Sequence, residues 1–96
     1  NLINLDTLSR SDGLEALRAQ IDTIDDELLV LLEKRMRLTD EVGTIKASSD
    51  IAIADPAREA AILERLSGKA QTENAPLIND LYRTIFAHSK KRQEPR

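Results

Sequence analysis

The stretch "LEALRAQIDTIDDELLVLLEKRMRLTDEVGTIK", residues 14–46, decides the fold. Apolar residues recur in it at alternating steps of three and four, which is the period of one face of an α-helix. We call this row the apolar ladder, and its members are Leu14, Leu17, Ile21, Ile24, Leu28, Leu31, Leu38, Val42 and Ile45. The same steps place Arg35 between Leu31 and Leu38. The stretch therefore predicts one long amphipathic helix with a single cation on its apolar row.

Arg35 lies on the apolar row and therefore needs an anion to pair with its positive charge. A guanidinium on this row should be buried, and an unpaired buried charge costs several kcal/mol or more. No acidic residue lies on the same row. The counter-charge must therefore come from an Asp or Glu of another helix or from a small anionic ligand.

The long helix is predicted from near Gly13 to about Ala47. Asp12 and Glu15 have the spacing of a capping box, and the only glycine between Leu14 and Ala47 is Gly43. We expect residues 1–11 to be a flexible lead-in and residues 12–96 to be one helical domain. A helix of this length with a sustained repeat expects a partner along most of its length.

Two shorter helices follow. Asp55-Pro56 predicts the start of the first, which is expected to run to about Ser67 and to end at Gly68. Residues 69–73 read as a polar loop. The second is predicted to start at Asn74-Ala75-Pro76 and to reach at least Lys90, and its inward row is Ile78, Tyr82, Ile85, Phe86, Ser89 and Gln93. The predicted fold class is all-α.

Composition narrows the possible functions. With 96 residues the chain forms a thin core alone, for which association of copies is a common remedy. It has no cysteine and one histidine, so neither thiolate chemistry nor a multi-histidine metal site is expected. A net charge of -3 argues against nucleic acid as the main partner. No apolar run is long enough for a membrane span, and we predict a cytoplasmic protein with neither metal nor cofactor.

Three cations lie on or beside the ladder. In ideal helix geometry Arg35 and Lys46 point in directions that differ by about 20° and are separated by about 16 Å of rise, so they could grip one small ligand. Arg18 lies about 25 Å from Arg35 on the same helix. If two copies cross antiparallel near residue 29, Arg18 of one copy faces the other between Arg35 and Lys46, which creates two equal sites.

Simpler interpretations of these polar residues stay open. Arg18 and Lys46 could be solvated surface cations. Asp55 is explained by helix capping alone, and Glu59 could be one more exposed acid. The basic residues 90–92 are predicted to be solvated, and His88 is predicted to lie on the surface with no role.

Eight polar residues in order resemble the all-helical chorismate mutase family. They lie in the long helix, in "DPAREAAILERL" (residues 55–66) and in "IFAHSKKRQ" (residues 85–93), and the resemblance covers residues 12–93. The residues are Arg18, Arg35, Lys46, Asp55, Arg58, Glu59, Ser89 and Gln93.

The resemblance implies an intertwined homodimer that converts chorismate to prephenate by a Claisen rearrangement. It implies that Arg18 is donated by the partner chain and that Arg18 and Arg35 clamp substrate carboxylates. Lys46 would contact the enolpyruvyl carboxylate and the ether oxygen, to which Gln93 also donates.

The ring end of the substrate has its own implied contacts. Glu59 and the backbone at Asp55 would meet the ring hydroxyl, and Ser89 and Arg58 would support the ring end of the pocket. Lys46, Gln93, Arg35 and Glu59 are therefore the expected catalytic set.

Two alternatives stay open at the level of sequence. An isochorismate-pyruvate lyase shares this fold and much of this cation set, although Arg58 and Glu59 after Asp55-Pro56 favour the mutase. A non-catalytic dimerisation or regulatory module would need only the long helix. Such a module is disfavoured because a charged residue on the apolar row, here Arg35, would weaken the interface between two packed helices.

Overall fold

The computed structural model describes residues 5–94, with side chains from residue 12 onward. It contains three α-helices, α1 (Leu5–Ser49), α2 (Pro56–Lys69) and α3 (Ala75–Gln93), and a 3₁₀ turn at Thr72–Asn74. No strand occurs within residues 5–94. The predicted all-α class, with one long and two shorter helices, is confirmed.

Helix α1 begins earlier than the sequence predicted. Its first residue is Leu5, so the predicted start near Gly13 was wrong, and Asp12 lies inside the helix instead of capping it. Residues 5–12 contain neither proline nor glycine, and extending an existing helix costs far less than nucleating one. The expected lead-in is thus helical from Leu5, and its first four residues lie outside the described part of the chain.

Helix α1 ends where the apolar pattern stops. Asp50 adopts a left-handed backbone conformation, with φ of 57°. The backbone N–H of Ile51 donates to the carbonyl of Lys46 at 2.9 Å. This is the long bond of a Schellman motif, which satisfies a carbonyl of the last turn and redirects the chain into the connector before α2.

The predicted start of α2 is confirmed, and its predicted end was wrong. Asp55 caps the helix, since its Oδ1 accepts from the backbone N–H of Arg58 at 3.0 Å, and Pro56 occupies the first turn. The helix continues past Gly68 to Lys69, and Ala70 is the C-cap. A glycine ends a helix most readily where φ is positive, and Gly68 does not have a positive φ. Its low helix propensity, about 1 kcal/mol below alanine, is insufficient alone.

Helix α3 follows the prediction more closely. Asn74 is its N-cap, Pro76 lies in its first turn and Gln93 is its last residue. The region predicted as a polar loop contains part of the short 3₁₀ turn. Because α3 reaches Gln93, the last polar residue of its inward row is carried on regular helix.

The core lies between α2 and α3, which pack against each other. Ile62 of α2 and Ile85 and Phe86 of α3 are buried. The rings of Tyr82 and Phe86 meet edge to face, with centroids 5.9 Å apart. The predicted inward row of α3 is therefore the face that packs, and it orients Ser89 and Gln93 toward the same side.

The chain divides into two compact units, Asn1–Arg35 and Met36–Arg96. In the first unit the ladder is exposed, with Leu17 58% and Leu31 60% accessible. In the second unit Leu38, Val42 and Ile45 are exposed as well. The face of α1 that packs within the second unit is the adjacent row, on which Thr39 and Gly43 are buried. The chain thus does not cover its own ladder.

Across residues 5–94, no helix combines the length and the apolar character needed to cross a membrane.

Candidate functional site

Six of the eight predicted site residues belong to the second unit. They come from the last turns of α1, the start of α2 and the last turns of α3, and they are Lys46, Asp55, Arg58, Glu59, Ser89 and Gln93. Four are wholly or partly buried, whereas Asp55 and Arg58 are exposed. The end of α1, the connector, the start of α2 and the end of α3 therefore form the frame of the candidate site.

Lys46 is held against the connector. Its side chain is partly buried, and Nζ donates to the backbone carbonyl of Ile53 at 2.9 Å. The interpretation of Lys46 as a solvated surface cation was therefore wrong. One hydrogen bond leaves two ammonium protons for other acceptors, so this lysine can hold the connector and still bind an anion.

Gln93 lies directly against α1. A β-carbon built on Gly43 would be 3.0 Å from Cγ, 3.1 Å from Cα and 3.2 Å from Cβ of Gln93. The Oε1 atom of Gln93 is buried and has no hydrogen-bond partner among the described residues. Oε1 is an acceptor, and a buried acceptor without a partner costs about 1–3 kcal/mol, so it is suited to a hydrogen-bond donor of a ligand.

Helix geometry relates Lys46 to this amide. Lys46 follows Gly43 by three residues, and residues at this spacing share one face of a helix. The face of α1 that touches Gln93 is therefore the face that carries the ammonium group. The ammonium group of Lys46 and the side-chain N–H₂ of Gln93 are hydrogen-bond donors, which suit an oxygen-rich anion.

Ser89 is buried one turn before Gln93. Its Oγ lies 3.9 Å from Sδ of Met36, which is a weak contact. The prediction that Ser89 lies on the inward row is confirmed. Ser89 is therefore not a frayed C-terminal residue.

The start of α2 supplies two acids with different surroundings. Asp55 is exposed and caps the helix, as its simplest interpretation holds. Glu59 is only 26% exposed, and its Oε2 lies 3.2 Å from Nζ of Lys90 on α3. The interpretation of Glu59 as an ordinary exposed acid was wrong.

The basic residues at the end of α3 were predicted to be solvated, and two of them are paired. Besides Lys90, Arg92 binds Asp40 of α1 in a two-pronged contact, with Nε 2.9 Å from Oδ1 and Nη2 against Oδ2. The hydrogen bond to Asp40 raises the pKa of Arg92 above its ordinary value. Lys91 and His88 are exposed, as predicted for the surface.

The remaining two predicted residues belong to the first unit. Arg18 is exposed, and its Nη1 lies 3.1 Å from Oε1 of Glu15, one turn away on the same helix. Arg35 is partly buried at the end of that unit. The predicted role of Arg18 at a site of another copy stays a prediction.

Sequence reasoning missed Gly43, Asp40 and Arg92 as parts of this site. The glycine did carry a signal, because an isolated glycine inside a long helix costs about 1 kcal/mol relative to alanine and so calls for a packing or functional reason. The Asp40–Arg92 pair carried none, since its partners lie on different helices and no local spacing relates them. Within the described residues no cluster of three or more His, Cys, Asp or Glu could hold a metal ion.

Comparison with known proteins points to one family. A family model described as chorismate mutase type II matches residues 17–94. The T-protein of Enterobacter agglomerans is 41% identical over 78 residues, which cover 79% of this chain and 21% of that protein. The T-protein of Haemophilus influenzae is 36% identical over 84 residues, covering 85% of this chain and 22% of that protein.

A third relative is described as a bifunctional enzyme. The bifunctional chorismate mutase/prephenate dehydratase of Escherichia coli K12 is 37% identical over 89 residues, covering 91% of this chain and 23% of that protein. The chain spans about a fifth of the length of these curated relatives. No solved structure matches it significantly.

Proposed function

This chain belongs to the chorismate mutase type II family, and from that premise we propose that it rearranges chorismate to prephenate in phenylalanine and tyrosine biosynthesis. The observation that carries the proposal is the close packing of Gln93 against Gly43, on the face of α1 that also bears Lys46. The side-chain N–H₂ of Gln93 and the ammonium group of Lys46 are the donors that this reaction requires.

The reaction explains why these residue types suffice. A Claisen rearrangement breaks a C–O bond and forms a C–C bond in one step, without proton transfer or a covalent intermediate. Negative charge builds on the ether oxygen as the C–O bond breaks. Lys46 and Gln93 donate to that oxygen, and donors fixed before the charge forms stabilise the transition state more than the ground state.

The arginines supply orientation. Chorismate carries two carboxylates, and guanidinium groups bind carboxylates through paired hydrogen bonds. Arg35 and the partner copy's Arg18 hold the two ends, so that the reacting carbons stay close in a chair-like shape. A rate gain of about 10⁶ requires about 8 kcal/mol, which orientation and two donors can share.

The start of α2 and the end of α3 bind the ring. The carboxylate of Glu59 accepts a hydrogen bond from the ring hydroxyl, and the backbone at Asp55 contacts the same hydroxyl. Arg58 and Ser89 line this end of the pocket. The ion pair between Glu59 and Lys90 supports this role, because it keeps the carboxylate at the junction of α2 and α3.

We further propose that the active form is a homodimer. On an ordinary protein surface the exposed apolar residues are scattered singly, whereas the ladder residues form a continuous row along α1. A contiguous exposed apolar face of this kind marks an interface. A second copy is the fitting occupant, because an antiparallel pair of ladders is complementary to itself under two-fold symmetry.

The middle of α1 supports an intertwined dimer over a simple helix pair. Around residue 30 the helix is apolar on all sides, since Leu29, Val30 and Leu32 are exposed in addition to the ladder residues Leu28 and Leu31. A helix that is apolar all round is normally buried on all sides. One partner helix covers one side, so other helices of the partner are needed for the rest.

The direct test is to incubate the purified chain with chorismate and to follow prephenate, with Lys46→Ala as the negative control. A parallel incubation with isochorismate distinguishes the lyase, which would release pyruvate. Light scattering on the same sample measures the mass. Absence of prephenate from an undamaged dimer would overturn the proposed activity, and a folded, active monomer would overturn the proposed dimer. The cytoplasmic location stays a prediction from the sequence.

A further inference from the structure

We propose that Asp40 and Arg92 form a positioning pair that fixes the last turn of α3, so that the neighbouring Gln93 keeps its amide directed into the site. The inference rests on the proposed function, because it assigns the pair a role through Gln93. Neither residue is among those that the family resemblance implied.

The pair joins two helix turns that already meet at Gln93. Arg92 precedes Gln93 in α3, and Asp40 lies one turn before Gly43 in α1. The guanidinium binds both carboxylate oxygens, and a bidentate contact fixes direction as well as distance. The steric contact at Gly43 and the ion pair therefore constrain the same turn from two sides.

The end of α3 needs such a constraint. Gln93 is the last residue of the helix, and the carbonyls of a last turn lack partners within the helix, so this turn frays readily. The N–H of Glu94 reaches the carbonyl of Lys91 at 3.3 Å, which is a long bond. Gly43 makes close steric contact with Gln93, but it has no side chain that could form a hydrogen bond or an ion pair with it.

The exposure of Arg92 and Asp40 indicates that the pair positions Gln93 and adds little to the free energy of unfolding. The side chains of Arg92 and Asp40 are each 45% exposed. Surface ion pairs contribute little to the stability of a whole protein. The same small free energy, applied to one terminal turn, decides what fraction of molecules present a correctly directed amide.

The test measures kcat, KM and melting temperature for Asp40→Asn and for Arg92→Gln, with Lys91→Gln as the matched control. Lys91 is an exposed neighbour with the same charge. We expect each pair variant to lower kcat about fivefold, or about 1 kcal/mol of transition-state stabilisation. KM and melting temperature should change little, because an interaction made only in the transition state affects kcat and kcat/KM equally. Arg92→Lys keeps the charge without the two-pronged geometry and should fall between.

A second background shows whether the pair acts through Gln93. In Gln93→Ala the amide is gone, so adding Asp40→Asn should not lower kcat further, whereas independent effects would multiply. Equal losses in both backgrounds, or an unchanged kcat in the pair variants of an active wild type, would overturn the inference. An inactive but dimeric wild type would instead count against the proposed function.

Discussion

Gly43 of α1 and Gln93 of α3 lie so close that a methyl group on the glycine would meet both the side chain and the Cα of the glutamine, at 3.0 and 3.1 Å. The backbone of Gln93 cannot yield as a flexible side-chain tip would. The missing side chain at position 43 thus determines how near the last turn of α3 comes to α1.

Gly43→Ala should therefore lower kcat and stability together. Overpacking a close contact costs about 1–3 kcal/mol, which exceeds the gain of about 1 kcal/mol from the better helix former. We expect a net loss of about 1 kcal/mol in urea unfolding and a kcat reduced by displacement of the Gln93 amide.

Gly68→Ala is the matched control. Nothing lies within 4 Å of a β-carbon at Gly68, which is also inside a helix and distant from the predicted site residues in sequence. This change should stabilise the protein by about 0.4–1 kcal/mol and leave kcat unchanged. If Gly43→Ala stabilised the protein as much as Gly68→Ala and kept full activity, the contact between Gly43 and Gln93 would have no role in function.

The sequence predicted the helices and the inward placement of Ser89 and Gln93 because both follow from local patterns. Asp55-Pro56 and Asn74-Ala75-Pro76 are start signals that act within a few residues. The period of Ile78, Tyr82, Ile85 and Phe86 carries directly to Ser89 and Gln93. Patterns of this kind need no knowledge of the neighbouring helix.

What the sequence did not predict depends on two helices at once. The pairs Asp40–Arg92 and Glu59–Lys90 join distant positions, so each residue alone resembles a solvated charge. The early start of α1 has a different cause, since a capping signal at Asp12 is too weak to stop a helix that can continue. The ladder was visible in the sequence and is exposed in the structure, and its predicted cover, a second copy, stays a proposal.

Lys46→Ala should cost far more turnover than Arg58→Ala. In the proposed mechanism Lys46 donates to the oxygen on which charge develops, and loss of one such donor reduces kcat about 10²–10³-fold. Arg58 is exposed and would support only the ring end, so its loss should cost less than about tenfold in kcat. Steady-state assays of both variants check the roles, and comparable losses would contradict them.

Lys90→Met should weaken catalysis through Glu59. The lysine holds the carboxylate at 3.2 Å, and its methionine replacement keeps the length while removing the charge. We expect kcat/KM to fall about threefold to fivefold, the order of a partly exposed ion pair. Lys91→Met removes an exposed neighbouring charge and should leave kcat/KM unchanged; equal effects of the two would indicate a general charge effect instead.

Ile21→Glu should disrupt the dimer. Ile21 is an exposed ladder residue, and a carboxylate there would be buried in the proposed interface in both copies. Light scattering should report a monomer with little mutase activity. Gln20→Glu introduces the same charge at an exposed neighbour outside the ladder and should leave the dimer intact. A dimeric, fully active Ile21→Glu protein would exclude the ladder as the interface.

Mixing variants tests whether two copies share each site. Arg18→Ala and Arg35→Ala proteins, unfolded together and refolded, should form heterodimers in which one site is intact and the other lacks both arginines. Random pairing then restores about a quarter of wild-type activity. Mixing Arg35→Ala with Lys46→Ala should restore none, because both residues of a site would come from one chain and no heterodimer would hold an intact site. Recovery in both mixtures, or in neither, would show that the assignment of Arg18 to the partner copy is wrong.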